Sequence, residues 1–372
     1  MKVVFNRAEF SGAFATAASV VTSRGPKTSL QNVLIDLENN AVVGTNLEQT
    51  VTVGIDASIR GEFASVSPDM AFVVPAARVA AILRESTDEN ITLETKKSTL
   101  HIKSGGSSFK MPLANVAEFP RMPYPEATTT REINQAELRD LLRVDFCCDN
   151  ESSRYALGGI CLSMAEDTIT IGTDGRRMAK VISLENNGQK MGESAPVVPA
   201  VAARLAAKAC GDSGIAVISC DNNSIVFYMG NVIVQSRLVE GKFPKWQDVF
   251  PSADANEFYM ESVAADFNSA VRQAAIACGD DSRGVELSVE SGKPLVMSAK
   301  TSDVGESRVE LNGDSTEWNG PPTAITLDNR YICDFMKRIR PEETIRMSLQ
   351  NSEAAALFTA GRMSYVVMPL SK

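Results

Sequence analysis

Residues 32–55 read NVLIDLENNAVVGTNLEQTVTVGI, and the same plan returns as GICLSMAEDTITIGTDGRRMAKVISL over 159–184 and as GVELSVESGKPLVMSAKTSDVGESRVEL over 284–311. Each is an apolar run, a polar break and a second apolar run, the pattern of paired strands. A stretch that recurs three times marks a repeat, and the fold has to be read from the repeat outward. Upstream of each pair lies an apolar start and a helix rich in small residues: Phe5-Asn6-Arg7-Ala8-Glu9-Phe10, Ile133-Asn134-Gln135-Ala136-Glu137-Leu138 and Asp266-Phe267-Asn268-Ser269-Ala270. Downstream, a second helix enters after Val74-Pro75 and Val198-Pro199, with Leu327-Asp328 in the matching place of the third copy. Closing strands end at Glu118-Phe119-Pro120, Lys242-Phe243-Pro244 and Val367-Met368-Pro369, which sets three domains at 1–125, 126–253 and 254–372.

Each domain is itself double. The first reads as strand Val3 to Phe5, helix Ala8 to Val21, and strands Asn32 to Leu37, Ala41 to Thr45 and Thr50 to Ile55. It then repeats as strand Ala71 to Val74, helix Ala76 to Arg84, and strands Ile91 to Thr95, Leu100 to Lys103 and Phe109 to Leu113. Period-two alternation, as in Leu100-His101-Ile102-Lys103, marks strands with one buried face, and Asn39-Asn40, Gly105-Gly106 and Asp221-Asn222-Asn223 supply turns. Six βαβββ half-units result. Two per domain put a sheet on one side and two helices on the other, an α+β arrangement.

The 372 residues exceed what one core normally serves. Hydrophobic content of 44% and charged content of 22% are those of a globular protein. No signal-peptide run develops after MKVVFNRAEF and no long apolar stretch follows, so a cytoplasmic protein is expected. The seven cysteines include no CxxC pair and lie in apolar contexts, which reads as buried thiols. The single histidine, His101, sits in a strand pattern and cannot furnish a multi-histidine metal site. Neither GxxxxGK[ST] nor GxGxxG occurs, and Asp280-Asp281 and Glu342-Glu343 read as solvated turn carboxylates beside Gly or Pro. No catalysis, metal or cofactor is expected.

Net charge is −9, ordinarily a mark against a nucleic-acid binder. Its distribution is uneven. The helical segments carry the basic residues Arg78, Arg84, Arg204, Lys208, Arg272, Lys337, Arg338 and Arg340, while the rest of the chain is acidic.

Three motifs at their proper places in the repeat make the chain resemble the bacterial beta sliding clamp family over its whole length. They are Thr173-Asp174-Gly175-Arg176-Arg177-Met178, Gly241-Lys242-Phe243-Pro244-Lys245-Trp246 with Val249 and Pro251, and the terminal Tyr365-Val366-Val367-Met368-Pro369-Leu370. The resemblance implies three tandem clamp domains, sheets outside and helices lining a ring made by two chains head to tail. It implies a processivity subunit that holds the replicative polymerase on double-stranded DNA without sequence specificity. A ring that slides uses sparse basic residues around the phosphates and no base readout.

By the same resemblance, Arg24 and Tyr155 match positions that touch DNA, although Arg24 also reads as a charge complementing a helix C-terminus, and the basic helix residues Arg78, Arg204, Lys208, Arg272, Lys337 and Arg338 would join them around the phosphates. A pocket for short apolar motifs of polymerase and clamp-loader subunits would be lined by Arg154, Leu157, Thr173, Gly175, Arg176, Arg177, Met178, Pro244, Val249, Tyr331, Val366, Val367, Met368, Pro369 and Leu370. The dimer interface would set Lys103, Phe109 and Lys110 against Ile276, Asp303 and Glu306. The chain departs from the family pattern at Ala156, Arg176, Asp248 and Asp328, which bears on motif preference. A structural β-repeat protein is the alternative reading; it leaves the basic charge on the helices unexplained.

Overall fold

The computed structural model describes residues 2–22, 27–55, 70–126, 129–149, 156–164, 167–184, 195–251, 257–279, 282–311 and 315–370. Arg24, Arg154, Tyr155 and the Asp280-Asp281 pair lie outside the described residues. The elements follow the sixfold plan. The first two half-units are β1 (Lys2–Asn6), α1 (Arg7–Ala18), β2 (Asn32–Asp36), β3 (Ala41–Thr45), β4 (Gln49–Gly54), and β5 (Ala71–Pro75), α2 (Ala76–Glu85), β6 (Asn90–Lys96), β7 (Thr99–Ser104), β8 (Ser107–Pro112). The next two are β9 (Thr129–Asn134), α3 (Gln135–Leu141), β10 (Gly159–Met164), β11 (Thr168–Thr173), β12 (Arg177–Ile182), and β13 (Val197–Pro199), α4 (Ala200–Ala209), β14 (Ile215–Cys220), β15 (Ser224–Met229), β16 (Val232–Arg237). The last two are β17 (Tyr259–Val263), α5 (Ala264–Ala274), β18 (Gly284–Val289), β19 (Val296–Thr301), β20 (Gly305–Glu310), and β21 (Thr323–Asp328), α6 (Asn329–Met336), β22 (Thr344–Ser348), β23 (Ala356–Ala360), β24 (Met363–Val367).

The repeat has a local cause. Side chains of Asn6, Asn134 and Asp328 cap the helices that follow them, each accepting from the backbone N–H two residues on at 2.9 to 3.0 Å. Pro75 and Pro199 instead end the strands that lead into α2 and α4, where a missing N–H costs nothing. Gly44 and Gly172 occupy the same place in β3 and β11 because a Cβ there would run into the Ala17 and Val144 carbonyl oxygens. The small residues let helix and sheet backbones touch.

Several helices end before the sequence pattern does. α1 stops at Ala18, where the Ser19 N–H and hydroxyl both turn back onto the Thr16 carbonyl. The helix that begins with α3 tightens into a 3-10 turn at Leu142–Cys147, and α5 does the same at Ala275–Ala277. α6 ends at Met336, with the Lys337 N–H closing it on the Cys333 and Phe335 carbonyls.

The chain divides into two compact units, 1–136 with 208–238 and 137–207 with 239–372. The first holds the sheets β1-β6-β7-β8 and β5-β2-β3-β4-β16-β15-β14-β9. The second holds β13-β10-β11-β12-β24-β23-β22-β17 and β20-β19-β18-β21. Half-units read from sequence as contiguous are therefore exchanged in space: the opening strand of every half joins the sheet of its sister half, β1 with β6 and β5 with β2. In the first unit α1 packs on α2 and on β3 and β4, with Phe5 stacked on Phe10 at 4.4 Å between centroids. In the second, α5 and α6 cover an aromatic core of Phe267, Phe335, Phe358 and Tyr365, the last three buried completely. All seven cysteines are free thiols, five of them buried, and burial raises the pKa of Cys148 to about 12.

Candidate functional site

The terminal segment is laid down by one seam in the second unit. β12 pairs with β24, Arg177 opposite Val367 and Met178 opposite Val366. Beyond Val367 the ladder stops, but the chain remains held: the Met368 N–H donates to the Arg176 carbonyl and the Leu370 N–H to the Thr326 carbonyl, both at 2.9 Å. Met368 is 49% exposed and Leu370 38%. They border a cavity of about 1270 Å³ with Arg176, Arg283, Asp328 and Tyr331.

The turn that meets this tail is rigid. Asp174 accepts from the N–H groups of Arg176 and Arg177 at 2.9 and 3.1 Å, Gly175 has φ 87°, and the Thr173 hydroxyl bridges the Gly175 N–H and the Arg177 carbonyl. Arg177 is spent inside the structure. Its guanidinium bonds to Asp174 at 2.9 Å, Asp334 at 3.0 Å and the Phe146 carbonyl at 2.9 Å, and lies 4.4 Å from the Tyr331 ring centroid. Burial would lift the Asp334 pKa, but hydrogen bonds from Lys337 and Arg177 outweigh it and hold it below the ordinary value. Tyr365 stacks on Phe335 at 4.9 Å and donates its hydroxyl to the Tyr331 carbonyl, so the ring above the cavity is fixed from below.

Not every residue expected to line the pocket presents a side chain. Thr173, Val366 and Val367 are at most 2% exposed and shape the site from within. Leu157 and Met178 are buried as well. Met178 lies with Cys161 and Ile171 under Phe243, Trp246 and Phe250, the aromatic residues of the segment that carries Pro244 and Val249. Of that segment Val249 is exposed. Sequence reading missed Asp145, Asp334 and Phe146, and gave Tyr365 of the terminal motif no role in the pocket; together they immobilise the arginines and the ring. Spacing gave no signal for their meeting, because they come from three separate elements, the 3-10 turn at Leu142–Cys147, α6 and β24.

The basic helix residues fall into two groups. Arg78, Lys208 and Arg272 are exposed, and none of the ion pairs among the described residues takes them. Arg204 and Arg338 instead converge on the buried Asp145 carboxylate, each at 3.2 Å, and Lys337 reaches Asp334 at 2.9 Å. Burial pushes the Asp145 pKa up, and the two guanidiniums oppose it.

At the sheet ends, β8 and β20 each have one edge unpaired among the described residues. Phe109 on β8 is 38% exposed, between exposed Ser108 and Lys110. Ile276, in the 3-10 turn after α5, is 75% exposed, and the Ser307 hydroxyl on the Ala274 carbonyl and the Thr301 hydroxyl on that of Ala277 tie this turn to β19 and β20. Asp303 and Glu306 are exposed beside it, Glu306 paired with Lys300 at 2.9 Å.

Models of the N-terminal, central and C-terminal domains of the DNA polymerase III beta subunit match residues 1–123, 132–245 and 247–371. The chain belongs to that family. A beta sliding clamp of Chlamydia muridarum is 26% identical over 377 residues, spanning 100% of this chain and 99% of the relative. One of Vibrio cholerae is 23% identical over 100% of both. Among solved structures, the DnaN sliding clamp of Bartonella birtlesii bound to griselimycin superposes with TM-score 0.87 at 26% identity, covering 100% of each chain. The sliding clamp of Bacillus subtilis shares the fold, TM-score 0.85 at 17% identity with 100% and 99% coverage.

Proposed function

We propose that this member of the family is a non-catalytic sliding clamp, which encircles duplex DNA as a closed ring and tethers the replicative polymerase for processive synthesis. One observation carries the reading: the closing strands pair by a rule. β4 pairs with β16, and β12 with β24. In both, the closing strand of the first half of one domain meets that of the second half of the next. Applied once more, the rule joins β20 to β8 of a second copy, and two such contacts close a head-to-tail dimer. Thr50 and Met178, each just before the inward-facing Val51 and Ala179, lie opposite Gln235 and Val366. Glu306 precedes inward-facing Ser307 in the same way, which sets it opposite Lys110 and sets Ser307 opposite Phe109.

Exposed Arg78, Lys208 and Arg272 supply a weak phosphate field suited to sliding, with Arg24 and Tyr155 carried over from the resemblance. Arg204, Arg338 and Lys337 contribute less, since carboxylates already hold them. The cavity at Met368 and Leu370 takes apolar motifs of polymerase and clamp-loader subunits. The three domains lie at 1–125, 126–253 and 254–372. No helix among the described residues is long and apolar enough to cross a membrane. Loading onto closed circular DNA followed by linearisation tests the ring: the complex persists on the circle and is lost over the free end. Equal retention on both would remove the topological reading.

A further inference from the structure

The two arginines where the turn enters β12 have opposite fates. Arg177 is consumed by Asp174, Asp334 and the Phe146 carbonyl. Arg176 beside it is exposed, and among the described residues its side chain has neither a hydrogen bond nor an ion pair. Arg283, half-buried on the far side of the same cavity, is likewise without an ion pair among the described residues. The two mark opposite ends of the terminal segment. The Met368 N–H rests on the Arg176 carbonyl, whereas Leu370 lies against Gly284, next to Arg283, where a Cβ would stand 3.3 Å from its Cδ1. The acids of the cavity are engaged. Asp328 caps α6 and is forked by Arg330 at 2.5 and 3.0 Å, Glu306 holds Lys300, and Glu286 accepts from the Ser288 hydroxyl.

We propose that Arg176 and Arg283 read carboxylates on partner peptides, so that this pocket prefers apolar motifs flanked by acidic residues. The inference rests on the peptide-pocket reading above and specifies its ligand. An occupant whose anchors lie over Met368 and Leu370 removes water from both guanidiniums. A planar guanidinium losing water is best compensated by a carboxylate, which accepts two N–H bonds at once. A neutral occupant leaves those donors with weaker partners.

The test uses labelled decapeptides containing two leucines and one phenylalanine, flanked by Asp in one form and by Asn in the other, titrated against the full chain by fluorescence anisotropy at low salt. Both arginines sit at a solvated rim, so the wild type should bind the Asp form about three- to tenfold more tightly. That ratio should shrink in Arg176→Gln and in Arg283→Gln and vanish in the double variant. A structural role for either arginine would weaken both peptides together and leave the ratio intact, which would overturn the proposal. Equal wild-type affinity for the two forms, with binding lost in Met368→Lys, would overturn the arginine reading and leave the pocket standing. If the wild type binds neither peptide, the pocket and the arginine pair fail together.

Discussion

The seam between β12 and β24 and the free edges of β8 and β20 are built from strands in equivalent places of the repeat, yet their surfaces differ. At the seam, Ala179, Val181, Tyr365, Val366 and Val367 are at most 2% exposed. On β8 only Met111 is buried, and β20 reads Gly305-Glu306-Ser307-Arg308-Val309-Glu310 with no buried residue. A permanent joint within one chain can rely on apolar burial. An edge left open carries charge, which blocks promiscuous pairing, and in the ring proposed above that charge would select register.

The strongest way to break this contrast is at the sealed side. Tyr365→Ala removes a fully buried ring stacked on Phe335 and the hydroxyl bond to Tyr331, and should cost about 3 to 5 kcal/mol in urea unfolding. A loss near that of a surface substitution would mean that the seam is not what holds the second unit. At the open side, Phe109→Ala with Ile276→Ala should yield monomers in sedimentation at micromolar concentration, each exposed anchor contributing about 2 kcal/mol to association, with the unfolding transition unmoved. A charge reversal sharpens the register: Glu306→Lys should weaken the dimer and Lys110→Glu on the same chain should restore part of it. If the double reversal is as weak as the single, the strands meet in another register.

The tail is where the seam frays. Met368→Lys should lower affinity for apolar peptides by about tenfold or more while dimer and stability persist, since one buried anchor at a small interface is worth roughly 2 kcal/mol. Peptide affinity indifferent to this change would place the partner surface elsewhere. Truncation should begin at Met368, because Val367 is wholly buried and paired with both Arg177 and Ala356.

The smallest effect lies at the other end of the seam, where Arg362 reaches Glu137, Asp140 and the Ile182 carbonyl. Burial would raise the Glu137 pKa, but bonds from Arg362, Ser183 and the Leu184 N–H lower it overall. Its folded value lies below the unfolded one, so the stability it adds is complete above the ordinary carboxylate range and is lost as pH falls through the folded value. Glu137→Gln should therefore lower stability slightly near neutrality, flatten the acid limb of the stability profile, and leave the variant level with the wild type once pH has fallen below the folded value. An acid limb unchanged by the substitution would show that this pair is not linked to folding.

Much of the molecule is legible along the chain. Alternating apolar residues located the strands within a residue or two, the repeated segments around Asn6, Asn134 and Asp328 placed three helix starts that the structure shows to be side-chain caps, and the exposed Met368 and Leu370 lie in the segment singled out as a partner site. Helix ends were harder to read, because in α1, α5 and α6 apolar spacing continues past the residue at which the backbone turns. The division of labour between Arg176 and Arg177 was invisible: adjacent and chemically identical, they differ only in which carboxylates the fold brings near.

The sequence by itself determined the sixfold βαβββ plan, because side-chain period, capping residues and turn residues act over a few positions. Tertiary structure alone decided which edge each strand would share. Every opening strand crosses to the sheet of its sister half, and β4, β12, β16 and β24 find partners a domain away while β8 and β20 do not. Any strand offers the same row of N–H and C=O groups, so the choice of neighbour rests on how helix packing and complementary faces bring distant edges together.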